Sequence, residues 1–368
     1  MKIGVVPPDI FSSKNELYSG KLRKFEDLDF AETIYHFFRG SAPPFSYGKI
    51  KHIKFSKVVE TNYRLKFFLD IFQFSFLLGF KVKQYKPDVI YCHDLFRLPL
   101  VFLISKILSV PLVAEVGIDI DFFTKNKILK RITTLTLKKV DRMVFFANHL
   151  KKPFSKENFP NAIVIYPTIA LEKFTRKKAI KKPIRKIDLL YVGRISRPKG
   201  ILELLKVFPS LQKKIPNLSL TIVGSSQKGN TPYFREFKET LLRLSSSSIQ
   251  WKNWVPHQKI PSVYKKATIV ILPSKTEGFN AVFCEALASG VPVICSKIPF
   301  YKEVLREDEF GYFSDFTSNS LQQVIKKITV NYQKYNLMSK NGRLFIEELA
   351  KKNTAKWKSL FRSFSKND

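Results

Sequence analysis

Cysteine is scarce in this chain of 368 residues. The three cysteines, Cys92, Cys284 and Cys295, include no CxxC pair and no spacing with histidine that is typical of a zinc site. An odd number of isolated cysteines argues against a disulfide framework and a structural metal, and it is typical of a reducing compartment. We therefore expect a cytoplasmic protein without disulfides.

Long apolar runs are also missing. The most apolar segment, residues 67–80, spans about 14 residues and includes Asp70, whereas a membrane-spanning helix needs about 20 apolar residues. The N-terminal segment MKIGVVPPDIF has one early lysine and only a short apolar run, which predicts a first strand rather than a signal peptide. No transmembrane helix is predicted.

Acidic residues are few. Asp and Glu number 30 against 64 Lys and Arg, which gives a formal net charge of +34. Such a chain attracts polyanions: nucleic acid, anionic lipid surfaces or phosphorylated substrates. Compositional bias is the alternative source of the charge, because lysine is abundant throughout. We find no helix-turn-helix, zinc-finger or RNA-recognition signature and expect no nucleic acid partner, although a basic nucleic-acid-binding protein stays an alternative.

Short apolar runs alternate with longer helix-like stretches, which predicts an α/β fold. In the first half we expect strands at residues 3–6, 89–92, 112–116, 143–147 and 163–166, and helices at 63–85, 98–108 and 126–139. The strands are nearly continuous apolar runs, which is the pattern of strands covered on both faces of a parallel sheet.

Residues 173–187 are dense in basic residues and lack an apolar face, so they are interpreted as the end of a first domain and its connection to a second. Alternation then resumes, with strands at 188–192, 218–223, 249–251, 268–272 and 292–295, and helices at 199–214, 233–244, 260–267 and 280–289. We predict domains at 1–180 and 181–350, and a helix at 351–368 that packs back on the first. Such sheets bind ligands beyond the carboxyl ends of their strands, here in the cleft between domains.

The most informative segment is PSKTEGFNAVFCEALASGVPVICSKI, residues 273–298. A strand ends in a loop with Glu277 and Gly278, and a helix then begins near Asn280, carries Glu285 and stops at Gly290. Free backbone N–H groups at a helix start favour an anion, and a glycine lets a ligand approach the backbone. The two carboxylates suit hydroxyl groups on either side of a phosphate, such as those of a sugar and a ribose. The alternative is two ordinary surface glutamates.

A second segment, YVGRISRPKG at residues 191–200, follows the first strand of the second domain. Gly193 makes the turn, while Arg194 and Lys199 place two cations where a diphosphate could be neutralised, and Arg197 is a third candidate. Alone, these residues are equally well explained as surface cations. The acidic segment downstream strengthens the binding interpretation.

Together the two segments resemble the retaining GT-B glycosyltransferases of family 4. The match rests on two glutamates with seven residues between them, Glu277 and Glu285, on the tail ALASGVPVI and on GRISRPKG upstream, and it extends over about residues 188 to 304. The resemblance implies two Rossmann-like domains with a nucleotide-sugar donor in the interdomain cleft. It also implies that the N-terminal half binds the acceptor.

The resemblance further implies residue roles. Arg194 and Lys199 would hold the donor diphosphate as it leaves, and Glu277 would contact the transferred sugar. Glu285 would bind the ribose, and the remaining donor contacts would come from Gly193, Gly224, Val255, Gly278, Phe279 and Asn280. The anomeric configuration would be retained by front-face attack assisted by the donor phosphate, with no metal or other cofactor.

The first half departs from the family's pattern. Its first loop has only Ser19 and Gly20 in place of a glycine-rich turn, and Gly117 stands where many members have a histidine. Asp119 and Asp121 mimic a DxD metal motif, which we interpret as chance or as acceptor-side residues.

His93 and Asp94 follow the strand at 89–92 and could face the cleft, although a structural or solvated histidine is the alternative.

Basic residues around apolar helices in the first half can dock a protein on an anionic membrane, which would suit a lipid-linked acceptor. The alternative is that residues 67–80 form a core helix of the sheet. The basic residues, interleaved with Phe and Tyr, are Lys49, Lys51, Lys54, Lys57, Arg64, Lys66, Lys81, Lys83 and Lys86.

The sequence thus predicts a hexosyltransferase that moves a sugar from a nucleotide donor to a saccharide or lipid-linked acceptor in cell-envelope glycan or glycoconjugate synthesis. We expect it in the cytoplasm or peripherally on the inner membrane face. A catalytically degenerate partner protein is a further alternative.

Overall fold

The computed structural model describes residues 1–6, 10–11, 31–40, 45–47, 49–56, 64–93, 95–117, 127–154, 159–176, 178–226, 229–244, 246–253 and 255–365. It divides into two compact units. The first contains residues 1–168 and 352–368, and the second contains residues 169–351.

The first unit is built on one sheet. Its described strands are β1 (Lys2–Val6), β2 (Ile10–Phe11), β3 (Thr33–Gly40), β4 (Phe45–Tyr47), β5 (Ile50–Ser56), β6 (Val89–Cys92), β7 (Leu112–Val116), β8 (Arg142–Phe145) and β9 (Ala162–Val164). The strand order is β4-β5-β3-β1-β6-β7-β8-β9, with β2 beside β3. The described neighbours pair in parallel, except that β4 is antiparallel to β5.

Three helices cover one face of this sheet: α1 (Arg64–Tyr85), α2 (Leu98–Ile107) and α3 (Lys127–Leu137). They connect β5 to β6, β6 to β7 and β7 to β8, so all three crossovers move in one direction along the strand order. Because such crossovers are right-handed, the helices share a face, and α2 packs between α1 and α3.

The other face of the first sheet packs against the end of the chain. Ile3, Val5 and Tyr91 form one core with Trp357 and Phe361, and these five residues are at most 1% exposed. Trp357 and Phe361 belong to the last helix, whose final part is therefore a structural element of the first unit.

The second unit contains a fully parallel six-stranded sheet in the order β12-β11-β10-β13-β14-β15. Its strands are β10 (Ile187–Val192), β11 (Leu218–Val223), β12 (Ile249–Lys252), β13 (Ile269–Leu272), β14 (Val293–Ser296) and β15 (Gly311–Ser314). Numbered from β10 as strand 1, the order is 3-2-1-4-5-6, so it reverses between β10 and β13. In sheets of this kind, ligands bind beyond the carboxyl ends of the strands at the point where the strand order reverses.

The helices of the second unit alternate with its strands. They are α4 (Ile201–Lys214), α5 (Pro232–Leu244), α6 (Ile260–Lys266), α7 (Ala281–Ala288), α8 (Pro299–Val304), α9 (Ser318–Thr329) and α10 (Tyr332–Arg362), the last of which continues into the first unit. In the described part of the chain, we find no helix with both the length and the apolar character needed to cross a bilayer.

The structure adds elements that the sequence pattern did not predict, namely β2 to β5 and β15. The unit boundary also falls at Thr168 rather than at residue 180. The reason is local packing: Phe174 is 1% exposed and contacts the Tyr264 ring, while the backbone of Ile180 exchanges hydrogen bonds with Asn336.

Candidate active site

The two loops that leave β10 and β13 bring Lys199 and Glu277 together. Lys199 Nζ lies 2.5 Å from Glu277 Oε1, and the two side chains are only 17% and 7% exposed. Because β10 and β13 are neighbours at the reversal of strand order, residues far apart in sequence meet at one end of the sheet. The structure therefore brings together one residue from each of the two sequence segments.

Glycine allows these loops to touch. Gly200 has φ +67°, and a Cβ added there would lie 2.0 Å from the Pro273 carbonyl oxygen. The backbone N–H of Lys275 also donates to the Pro198 carbonyl at 2.8 Å. Only a glycine fits at position 200, because both the backbone angle and the space exclude a side chain.

A second close approach joins the loops after β10 and β11. Gly224 has φ +151°, and a Cβ there would lie 1.8 Å from the Gly193 carbonyl oxygen. Trp251 Nε1 donates to the Gly224 carbonyl at 2.9 Å, which fixes the turn to β12. These contacts bring main-chain atoms of the two loops together beyond the ends of β10 and β11.

Arg194 and Glu277 both influence the pKa of the buried Tyr191 phenol. Its side chain is exposed, and its carbonyl accepts a hydrogen bond of 2.8 Å from the Tyr191 hydroxyl. Burial raises the pKa of the Tyr191 phenol well above its usual range, the negative charge of Glu277 raises it further, and the positive charge of Arg194 lowers it. Both charged groups therefore lie within electrostatic reach of one buried phenol.

Three donors hold the Glu277 carboxylate. Besides Lys199, Oε1 accepts hydrogen bonds from Ser274 Oγ at 2.7 Å and Asn280 Nδ2 at 2.9 Å. Asn280 also caps α7, since its Oδ1 accepts from the Phe283 N–H at 3.3 Å. The residue that starts the helix thus also fixes the carboxylate beside it.

Neighbouring side chains support this arrangement. Asn280 Nδ2 donates to the buried Tyr301 hydroxyl at 2.6 Å, and the Phe279 ring packs on Phe300 with ring centres 5.7 Å apart. Burial, followed by the charge of Glu277, raises the pKa of the Tyr301 phenol. Gly278 and Phe279 are half-buried between the carboxylate and the helix start.

Glu285 has a different partner. Its Oε2 accepts a hydrogen bond of 2.8 Å from the buried Tyr264 hydroxyl of α6. Burial raises the pKa of Glu285 to about 7, although the Tyr264 hydrogen bond lowers it. The glutamate therefore changes charge near neutral pH, and its described contacts are separate from those of Glu277. Val255, the predicted contact to a base, lies half-buried just after β12.

The first unit holds another carboxylate near the carboxyl ends of its strands. Glu115 Oε2 lies 2.6 Å from His93 Nδ1 and accepts a hydrogen bond of 2.7 Å from the Tyr91 hydroxyl. Burial and the charge of Glu115 raise the pKa of Tyr91. His93 was a candidate from the sequence, whereas the pairing of Glu115 was missed. An acidic residue inside the otherwise apolar strand LVAEV was the available signal.

Several residues named from the sequence lie outside the described residues: Ser19, Gly20, Lys57, Asp94, Asp119 and Asp121. Among the residues that are described, we find no group of three His, Cys, Asp or Glu side chains placed to hold a metal ion.

Two Rossmann-like α/β units, each with a sheet that reverses its strand order, form the fold of the GT-B glycosyltransferases. Among known proteins, a family model matches part of the chain. Residues 172–345 match the family model of the glycosyl transferases group 1, which covers most of the second unit. The fold is thus that of GT-B glycosyltransferases, and the family match lies within the second unit.

The chain is similar to an uncharacterized glycosyltransferase of Haemophilus influenzae, with 28% identity over 65% of this chain and 66% of the relative. It is also 27% identical to a lipopolysaccharide 1,2-N-acetylglucosaminetransferase of Salmonella typhimurium over 58% of this chain and 60% of that one. The chain thus spans about two thirds or less of these relatives' length. The Anabaena protein HepE, solved in complex with UDP-glucose, has the same fold, with a TM-score of 0.76, 16% identity and coverage of 99% of this chain and 100% of that chain.

Proposed function

We propose that this protein is a retaining glycosyltransferase that moves a sugar from a nucleoside diphosphate donor to a saccharide or lipid-linked acceptor. The observation that carries the proposal is the Lys199–Glu277 pair at the reversal point of the second sheet. The names of the relatives, which include a lipopolysaccharide sugar transferase, support an acceptor in envelope glycan synthesis.

The cations have the chemistry that the leaving group needs. When the bond between the sugar and the diphosphate breaks, negative charge develops on the phosphate oxygens, and fixed cations stabilise it without reorganising. Lys199 is held in place by Glu277, and Arg194, on the same loop as Lys199, lies within electrostatic reach of the Tyr191 phenol, as Glu277 does. In the proposed complex both cations bind the diphosphate.

The carboxylates and the backbone would bind the rest of the donor. Glu277 would accept hydrogen bonds from hydroxyls of the transferred sugar, and Glu285 from the ribose. The main chain of Gly278, Phe279 and Asn280 borders the start of α7, where N–H groups favour a phosphate. Gly193, Gly224 and Val255 would complete the pocket with backbone contacts, and no metal is needed.

In the proposed reaction, the acceptor hydroxyl oxygen forms its bond to the anomeric carbon on the face from which the diphosphate leaves. The bond from that carbon to the phosphate oxygen breaks, and the departing phosphate takes the acceptor proton. Configuration is retained as a result. The coupling between the first two sugar protons in the product, measured by NMR, reports the configuration directly.

The decisive experiment measures binding of UDP, GDP and ADP and hydrolysis of their sugars by the double variant Arg194→Ala with Lys199→Ala. We expect diphosphate affinity to fall about 100-fold, since two charge-assisted contacts are lost. The matched control is Lys213→Ala with Lys265→Ala, which removes two exposed cations of α4 and α6 and should leave affinity unchanged.

Other outcomes would contradict the proposal. Equal loss in both double variants would mean that only net charge matters. Binding to DNA that collapses with salt, without diphosphate binding, would favour the nucleic acid alternative. A protein that binds a donor but never hydrolyses or transfers its sugar would be a degenerate transferase.

A further inference from the structure

Exposed apolar side chains are concentrated on the helices of the first unit. Among the described residues, eleven large hydrophobic side chains are markedly exposed, and seven of them lie on α1, α2 and α3. We call the surface formed by these side chains, together with the Lys and Arg residues of the same helices, the basic helix face. Its seven apolar members are 45% to 79% exposed: Phe76, Phe80, Leu103, Ile107, Ile128, Ile132 and Leu135.

The spacing places these residues on the outer side of each helix. Phe76 and Phe80 are four residues apart, as are Leu103 and Ile107, and the three members on α3 are four and three apart. Residues three or four apart share one side of a helix. On α1, the opposite side is buried against the sheet, where Phe74, Leu78 and Val82 are at most 2% exposed. The exposed side chains of α1 are therefore distinct from the side chains with which it packs on the sheet.

The three helices also lie side by side. They cover the same face of the first sheet, and α2 packs against both of its neighbours. Their exposed apolar side chains therefore form one surface rather than scattered single residues. Contiguous apolar surface of this kind marks an interaction site, whereas isolated exposed hydrophobics are normal.

The three helices carry mostly positive charge in their sequences, although Lys106 Nζ also lies 3.7 Å from Asp141 Oδ2. The helices carry four basic residues on α1, one on α2 and three on α3, against a single acid, Asp70. The cations lie beside the apolar groups: Lys81 Nζ is 5.7 Å from the Phe80 ring centre, and Lys106 Nζ is 5.4 Å from that of Phe102. Such side chains can reach towards anions while their stems stay on the apolar surface.

Helices of the second unit differ in both respects. Its four exposed apolar residues, Leu242, Val330, Leu337 and Leu344, are spread over three separate places. Its cations are mixed with acids, and Lys206 pairs with Glu236 at 3.5 Å between α4 and α5. The chain's excess of lysine alone therefore does not account for the basic helix face, because the same composition gives mixed charge elsewhere.

We infer that the basic helix face docks on an anionic lipid bilayer, with the apolar side chains entering the headgroup region and the surrounding Lys and Arg contacting lipid phosphates. A bilayer is the occupant that supplies both partners at once, an extended apolar layer and a negative surface potential. The inference stands on the first unit alone and is independent of the donor site in the second.

The test is co-sedimentation with vesicles of phosphatidylcholine, either pure or containing about 30% phosphatidylglycerol, over a salt series. We expect binding to the anionic vesicles to be at least about tenfold tighter than to the neutral ones at low salt, and to weaken as salt rises. Phe80→Ser combined with Ile107→Ser should lower binding about tenfold or more, because two inserted apolar side chains are lost.

Matched variants separate the surface from general properties of the chain. Leu242→Ser with Val330→Ser changes two equally exposed apolar residues of the second unit and should bind like the parent protein. Lys83→Glu with Arg131→Glu should lower binding to anionic vesicles about tenfold or more, whereas Lys213→Glu with Lys265→Glu, which makes the same change in net charge, should have little effect.

Three results would overturn the inference. They are equal binding to neutral and anionic vesicles, equal loss in the first-unit and second-unit variants, and a dimer in ultracentrifugation that Phe80→Ser with Ile107→Ser dissociates. The last would assign the surface to a second copy of the chain. Diphosphate binding by each variant, measured without lipid, checks the fold and the donor site separately, so either proposal can fail without the other.

Discussion

Each unit places a largely buried carboxylate near the carboxyl ends of its parallel strands, but the partners differ in kind. Glu277 is held by a lysine, a serine and an asparagine that come from two different loops. Glu115 lies within a strand and is held by a phenol and an imidazole from the neighbouring strand.

The partners indicate what each carboxylate can do. Loop residues at a strand-order reversal line a crevice, so Glu277 and Lys199 can exchange their mutual contact for contacts with a ligand. Tyr91, by contrast, is fully buried and packs on Trp357 and Phe361 of the last helix, with ring centres 5.8 Å apart in both cases. We expect Glu115 to fix the packing of the first unit and Glu277 to act on substrate.

The largest expected difference is in catalysis. Glu277→Gln keeps the side-chain volume and one carbonyl acceptor but removes the charge that faces Lys199. We predict that donor turnover falls about 100-fold to 1000-fold, as for other preorganised active-site groups. The affinity for free diphosphate should stay equal or rise, because Lys199 loses its internal anion. Initial rates and calorimetry measure the two effects.

Glu115→Gln is the control from the first unit. It should lower the free energy of unfolding by about 1 to 3 kcal/mol, because the buried Tyr91 hydroxyl loses a charged acceptor and the His93 ring loses a negatively charged neighbour. Turnover should fall less than tenfold. If the two variants lost turnover equally, the distinction between a substrate-facing and a structural carboxylate would be wrong.

The next largest difference is expected in the stability lost when a glycine near each carboxylate is replaced by alanine. Gly200→Ala places a Cβ 2.0 Å from a carbonyl oxygen, whereas Gly117→Ala in the first unit places one 2.9 Å from the movable Phe146 ring. We predict that the first change lowers the free energy of unfolding by about 3 kcal/mol or more and the second by about 1 kcal/mol, in urea titrations.

Gly229 controls for backbone angle, because it shares the φ of +67° but has nothing within 4 Å of an added Cβ. Gly229→Ala should therefore cost only about 1 kcal/mol, the strain of a left-handed residue. If Gly229→Ala lowered the free energy of unfolding as much as Gly200→Ala, the close contact between the loops after β10 and β13 would contribute nothing to the effect at position 200.

The sequence predicted the second sheet better than the first, for a physical reason. Strands such as β13 are buried on both faces and read as unbroken apolar runs, and Asn280 and Gly290 mark the ends of α7. Strands β3 and β5 mix histidine, arginine and lysine with apolar residues, so no periodicity separates them from loops.

Some features of the candidate site could likewise be predicted from the sequence, and others could not. The sequence singled out residues 199 and 277 for one binding site, because each follows a strand of the same predicted sheet, but it did not predict their direct contact. The roles of Tyr264, Tyr301 and Tyr91 could not, because each pairing depends on how a helix or a strand packs in three dimensions. For α1, the sequence left a core helix and a membrane-docking helix as alternatives, and its buried and exposed sides are compatible with both.

A tyrosine–glutamate pair occurs in both units, and it provides the finest comparison. Tyr264 donates to Glu285 as Tyr91 donates to Glu115, at 2.8 and 2.7 Å. The pKa of Glu285 is raised by burial to about 7, so below that pH the side chain holds a proton and accepts hydrogen bonds more weakly. If Glu285 binds the ribose, nucleoside diphosphate affinity should rise about tenfold between roughly pH 6 and 8.

Three variants test this pH dependence by calorimetry. Glu285→Gln should bind the nucleoside diphosphate more weakly, and its affinity should no longer change with a midpoint near pH 7. The pH dependence that remains is that of the phosphate group itself and serves as the baseline. Tyr264→Phe should move the midpoint above pH 7, because the lost hydrogen bond stabilises the ionised carboxylate. Tyr91→Phe removes the matching bond from the first unit and should not move it. A midpoint that persists in Glu285→Gln would assign the titration to another group and leave the ribose contact without support.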